Sequence, residues 1–445
     1  MDARWVSRTL FAVVLMGSAG AYAQTDPGVR PGANGAGLEI GGLTTNQAAF
    51  FDAGRDDFAE AEGVGDGLGP RFNLDSCGGC HSQPDIGGTS PAVNPEVAVA
   101  TAFGARNTVP SFISLNGPIR EARFKLQPNG AADGGVHSLF VISGRIDDTG
   151  NASSCNIVQD NFAQQVANQN IIFRIPTPVF GFGLLEEISD QTLMINLASQ
   201  STAKAIRGIT GRFNHNGHDG RISRFGWKAQ NPTGLVFSGE AYNVEMGITN
   251  EGFQTERDET NECQFAQLPN DVTNTDGATG IDTISAIEKF SHFMRFLDQP
   301  VASTTVPGGA TSITQGRNTF VNIGCALCHT PSMITGNATV AALRAKQANL
   351  FSDLALHNMG PGLADGISQG EARADEFRTA PLWGLGKRIF FLHDGRTSNL
   401  LSAIQAHGSN GNASFQNSEA NAVINSFNAL SPASKQDLVN FLRSL

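Results

Sequence analysis

The sequence predicts a mainly α-helical chain in two unequal domains, the first enlarged by loops and short β-strands. Three observations predict it. A Cys-x-x-Cys-His segment occurs twice, at 77–81 and at 325–329. Apolar residues recur at helical spacing on both sides of the second copy. Between the copies lie short stretches dominated by β-branched and aromatic residues.

Taken in order, residues 1–23 read as an export signal. Arg4 and Arg8 precede a short apolar run, Leu10 to Leu15, and Ala21-Tyr22-Ala23 has the small-x-small form of a cleavage site. The run is shorter than the ~20 residues a spanning helix needs. A mature chain beginning at Gln24, delivered to the periplasm and without a membrane span, is therefore expected. Residues 24–38, rich in Gly and Pro, read as a loose arm. Strands are expected at 136–143 and 171–175. Residues 281–297 place Ile284, Ile287, Phe290 and Met294 on one helical face, ending before Pro300. Residues 299–312 have a linker's composition, so the main boundary is put near residue 303, separating domains 24–303 and 304–445. A helix is expected to lead through Phe320 into Cys325. The last helix opens with Ser431 as N-cap and Pro432 at its first position. No repeat is legible beyond the two Cys-x-x-Cys-His segments.

Composition narrows the class. Hydrophobic residues make up 40% of the 445 and charged ones only 16%, which excludes a disordered chain. The 51 glycines suit irregular loops wrapped around a large cofactor. A net charge of -11 argues against nucleic acid, whose phosphates need a basic surface.

The two motifs specify the cofactor. Thiols three positions apart, as Cys77/Cys80 and Cys325/Cys328, reach the two vinyl groups of one haem. The adjacent His81 or His329 then sits under the iron as proximal ligand. Six Cys and nine His in random order would give about 0.002 such motifs, so two are no accident. A zinc site or a thioredoxin-like pair fits less well, given the export signal and the His after each pair. The remaining cysteines, Cys155 and Cys263, form either a disulfide or two buried thiols. Each iron has a second axial position. Two strong ligands make a closed, electron-transferring iron, and an open position admits peroxide or oxygen. Candidates are His137, His215, His218, His292, His357, His393 and His407, with Met246, Met294 and Met359.

Several segments resemble the dihaem oxidoreductase branch of the bacterial dihaem cytochrome c peroxidase superfamily, over most of residues 40–445. They are FNLDSCGGCH (72–81), ARNTVPSF (105–112), RFGWKAQ (224–230), NVEMGITN (243–250), IGCALCH (323–329), LHNMGPGLADG (356–366) and EFRTAPLWGLGKRIFFLHDGR (376–396). The resemblance implies a peroxidatic N-terminal haem and an electron-transferring C-terminal haem. It places His407, in SAIQAHG, as distal ligand of the second haem, where the peroxidases usually have Met. A His/His haem should sit at lower potential than a His/Met one. Some members close the first haem with a His about sixteen residues after its motif. Residues 83–105 hold no His here, which implies an open first iron. The resemblance also makes Trp227 the residue between the haems and Glu245 the catalytic acid–base, with Glu240 in reserve. A calcium ion between the haems would use Asn107 and the Thr379-Ala380-Pro381 stretch. The expected activity is reduction of hydrogen peroxide, fed by a small periplasmic cytochrome or copper protein. Two alternatives stay open: a dihaem enzyme oxidising a protein or organic substrate, and a non-catalytic electron-transfer cytochrome.

Overall fold

Helix Thr45–Ala59 crosses helix Ala286–Phe296, and a glycine sets how closely. The computed structural model describes residues 24–445, and the export signal expected over 1–23 lies outside the described residues. A Cβ on Gly54 would stand 2.1 Å from the carbonyl oxygen of Lys289, so only glycine allows this approach. One turn on, Phe58 packs against Phe290 and Phe293 with ring centroids 5.9 and 5.1 Å away. The second half repeats the arrangement. Helix Gly309–Ile323 crosses helix Pro432–Ser444, a Cβ on Gly316 would meet the carbonyl oxygen of Asp437 at 1.9 Å, and Phe320 packs on Phe441 at 5.4 Å. Both phenylalanines reach their motif histidine: Phe58 lies 5.8 Å from His81 and Phe320 6.3 Å from His329. This Gly-x-x-x-Phe repeat escapes a search at fixed spacing. Residues 59–76 intervene between Phe58 and Cys77, whereas Phe320 runs almost directly into Cys325.

The fold is mostly helical, with short antiparallel strands in two- and three-stranded sheets. The expected strand at 136–143 is two, Val136–His137 and Phe140–Val141; the expected strand at 171–175 is Ile171–Arg174. Both Val136–His137 and Ile171–Arg174 flank Glu121–Phe124. In that central strand Ala122 and Phe124 are buried in the core while Glu121 and Arg123 turn to the opposite face. Helix Ala286–Phe296 starts later than its periodicity suggests, because Ser285 and Glu288 form a capping box there.

Two expectations need revision. The arm at 24–38 is not loose. Asp26 forms a buried 2.7 Å ion pair with Arg443, and the Arg30 N–H donates to the Gly386 carbonyl at 2.7 Å. The linker near residue 303 does not separate two cores cleanly either. Met333, Leu343, Leu350 and Leu354, all beyond it, pack into the large apolar core of the first half. A second core gathers Phe320, Phe427, Leu438 and Phe441. A third, small cluster joins Ile175 and Trp227 of the first half to Phe377 and Phe390 of the second. Cys155 and Cys263 are bonded to one another, closing a span of 108 residues. Among the described residues no helix is long and apolar enough to cross a membrane.

Candidate functional site

Each Cys-x-x-Cys-His segment opens onto its own cavity. Cys77, Cys80 and His81 line one, and Cys325, Cys328 and His329 line the other. The first motif forms a single helical turn, Cys77–Cys80, capped by Ser76. Chain reversal after it lets the His81 Nδ1 bond the Gly88 carbonyl at 2.9 Å. His329 repeats this with the Phe351 carbonyl at 2.9 Å, and His407 with the Ala403 carbonyl at 2.8 Å. A ring held at Nδ1 in this way presents a neutral Nε2 for a metal. Burial keeps all three rings neutral. It pushes His81 and His329 down to about 4 and lowers His407 as well. Burial also pushes the Cys77 and Cys325 thiols up to about 12.

The first cavity carries acid–base groups. Helix Gly234–Met246 ends on its wall and supplies Glu240, Tyr242, Glu245 and Met246. The three-stranded sheet supplies Glu121, Arg123 and Arg174, with Glu121 paired opposite Arg174 in the ladder. Burial raises Glu245 far above the usual carboxylate range, and the like charge of Glu121 raises it further; the Asn73 amide, donating at 2.6 Å, offsets only part. Against the same push of burial, Arg123 and Arg174 hold Glu121 low. One carboxyl is therefore protonated and its neighbour ionised at neutral pH. Glu240 also lines the cavity but is engaged by the Asn231 amide. Glu121 was not singled out from sequence. Its signal was the Glu-Ala-Arg-Phe alternation at 121–124, which marks a strand with one polar face.

The second cavity is mostly apolar. His329 and His407 both line it, along with Met359, His357 and His393. His357 uses both ring nitrogens, bonding Asp353 at 3.0 Å and Glu419 at 2.7 Å. Asp353 also binds Lys204 at 2.8 Å, so this buried cluster braces the wall beside Cys328. His393 stacks on Phe377.

Trp227 lines both cavities. Its indole N–H donates to the Ile175 carbonyl at 2.9 Å, and its own carbonyl accepts the Arg378 N–H at 2.9 Å. Its ring meets the His393 edge at 6.3 Å. Among the other histidines, His137 is held between Asp133 and Asp160, His215 binds Glu371, and none but His81 lines the first cavity among the described residues. Met246 and Met294 do line it.

The residues expected around calcium are otherwise engaged. Asn107 pairs with Val141 at both ends of its amide, accepting at 2.9 Å and donating at 2.9 Å. The Thr379 carbonyl accepts the Ser352 hydroxyl at 2.6 Å. Pro381 lines a small void beneath Trp227 rather than either main cavity.

Two cavities, each walled by a cysteine pair and a neutral histidine, define a protein built for two haems. Residues 127–445 match the family described as "Di-haem oxidoreductase, putative peroxidase". The chain belongs to this family and is an oxidoreductase. Membership implies two haems, and the first Cys-x-x-Cys-His segment lies ahead of the matched residues. No curated protein matches the sequence. A solved hydrazine synthase of Kuenenia stuttgartiensis is 17% identical over 38% of this chain and 56% of that one, with a TM-score of 0.24. A MauG-like protein associated with microbial copper homeostasis is 16% identical over 58% of this chain and 89% of that one, with a TM-score of 0.28. Likeness at this level bears on neither mechanism nor substrate.

Proposed function

We propose that the protein is a periplasmic dihaem c-type enzyme that reduces hydrogen peroxide in the first cavity with electrons relayed from the second. Cys77 and Cys80 would hold one haem and Cys325 and Cys328 the other. His81 and His329 would be proximal ligands, with His407 completing the second iron. The paired helix crossings at Gly54 and Gly316 support reading each half as a cytochrome c-like unit. When bound, haem supplies a redox-active iron that takes peroxide and passes single electrons.

The observation that carries peroxide chemistry is the buried carboxyl pair of Glu245 and Glu121 on the cavity wall of His81, the first raised by burial and the second held low by Arg123 and Arg174. A carboxyl pair sharing one proton can accept a proton from one oxygen and return one to the other. Trp227 would carry the electron between them; its fixed N–H and its position on the wall of both cavities support this. A small cytochrome or copper protein would resupply the second haem. Calcium forms no part of the proposal, because both amide atoms of Asn107 are taken up by Val141.

A second reading rests on Met246 and Met294, which line the first cavity and offer thioether ligands. A ligated first iron would make the protein an electron carrier. Oxidation of a protein or organic substrate would instead keep the open iron and need a different partner. Electron paramagnetic resonance of the oxidised protein separates the first two. One high-spin and one low-spin ferric signal, the high-spin one lost on adding peroxide, is expected. Two low-spin signals would sink the open-site reading.

A further inference from the structure

The wall of the second cavity is apolar except at a few places, and two of those are guanidinium groups. Arg378 and Arg388 both line it, and both also line the small void beneath Trp227. Arg378 is 7% exposed and Arg388 6%. Arg378 is fixed by its Nε, which donates to the Gly226 carbonyl at 2.9 Å, yet its Nη1 has no hydrogen-bond partner among the described residues. In Arg388 both Nε and Nη2 are buried without a partner among the described residues. Burial alone depresses the two groups, to about 10, with no carboxylate acting against it, so both stay charged at neutral pH.

The first cavity treats its cations differently. There Arg123 is matched by Glu121, and Arg174 binds Asp365 at 2.7 Å. Asp365 in turn meets the buried Lys228 at 3.2 Å. Buried charge is retained in proteins when something neutralises it. In the second cavity the wall carboxylate Glu419 is taken by His357 and Thr210, no carboxylate among the described residues pairs with Arg378 or Arg388, and donors in a guanidinium fork suit a carboxylate.

We propose that Arg378 and Arg388 are the anion site of the second cavity, and that the carboxylates they bind are the propionates of the haem held by Cys325 and Cys328. This rests on the dihaem reading above. In a haem the two propionates project from the edge opposite the two vinyl groups. Thioethers at one edge and guanidiniums at the other would fix the rotation of the ring as well as its attachment. Arg378 is tied to Gly226 and Trp227 through its Nε and its backbone N–H. The propionate edge of the second haem is thereby set beside Trp227. Arg378 and Arg388 are positioning residues: they tune and orient the cofactor and take no part in bond making.

The test uses the full-length, haem-loaded protein. Intact mass and haem per chain come first, because a chain without haem at Cys325 and Cys328 overturns both the dihaem reading and this one. With two haems present, a redox titration followed in the visible spectrum reads each midpoint. Arg388→Met should move the second haem to lower potential and leave the first in place, and Arg388→Lys should restore most of the shift. A second midpoint unchanged in Arg388→Met and in Arg378→Met would overturn the assignment. Should neither variant accumulate, the resonance Raman propionate bending band of the unaltered protein decides. A position typical of strongly hydrogen-bonded propionates supports the site, and a position typical of free ones removes it.

Discussion

Asn73 donates a 2.6 Å hydrogen bond from its side-chain amide to the carboxyl of Glu245. The orientation of that amide is fixed from the other side, since the Asn73 oxygen accepts the Leu139 N–H at 2.7 Å. One Glu245 oxygen is thus tethered, while burial and Glu121 keep the carboxyl protonated. Glu245→Gln preserves the shape and the tether but cannot exchange a proton. Peroxide turnover should fall by about 10²–10⁴-fold with both haem spectra intact. The pH profile should be bell-shaped: activity falls at high pH as the pair loses its shared proton and at low pH as Glu121 gains a second one. Steady-state assays with a reduced small cytochrome check this, and turnover unchanged in the Gln variant would take Glu245 out of the mechanism.

How much of this was legible beforehand varies with the reach of each signal. Cys-x-x-Cys-His is local, so its chemistry reads directly from spacing. Glu245 and Trp227 became visible only through resemblance, since a lone glutamate and a lone tryptophan carry no pattern. Glu121 and Arg388 were missed for a different reason. Their roles depend on what faces them across a cavity, and long-range pairing leaves no periodicity. The Gly54 and Gly316 crossings were hidden by the unequal loops before the two motifs. The arm at 24–38 looked loose because Gly and Pro mark irregular chain, yet one buried pair, Asp26 with Arg443, is enough to pin it.

His407 is held at Nδ1 by the Ala403 carbonyl at the end of helix Leu400–Ala406, which leaves Nε2 toward the cavity. His407→Gly should convert the low-spin signal of the second haem to high-spin. His407→Met should retain a low-spin iron and raise its potential, because a thioether favours the reduced state. Magnetic circular dichroism and redox titration report both. A low-spin second haem persisting in the Gly variant would mean that another side chain, such as Met359, is the ligand.

Trp227→Phe keeps an aromatic ring on the wall of both cavities but deletes the N–H that binds Ile175. The orphaned buried carbonyl should cost about 1–3 kcal/mol of stability. Electron transfer from the second haem to the first should slow, while the affinity of the first haem for cyanide stays as it was. Stopped-flow oxidation of the fully reduced protein by peroxide resolves the two haems by wavelength. Equal rates in variant and parent would show that the electron bypasses Trp227.

Glu62 gives the chain a pH-dependent stability of predictable sign. Burial raises its carboxyl to about 7, with nearby Glu60, Asp66 and Asp57 adding to the rise and the Tyr242 hydroxyl, donating at 2.7 Å, opposing it. The unfolded chain releases this proton near the ordinary value of 4.5. Between those limits the folded state holds more protons, so the contribution is full below the lower value and is lost as pH rises to the upper one. The slope is at most ~1.4 kcal/mol per pH unit for one group. Glu62→Gln keeps an acceptor for Tyr242 and removes the titration. The variant should therefore match the parent near pH 4.5 and be more stable by pH 8. Urea unfolding at intervals across that range measures it, and parallel curves for the two proteins would place the pH dependence elsewhere.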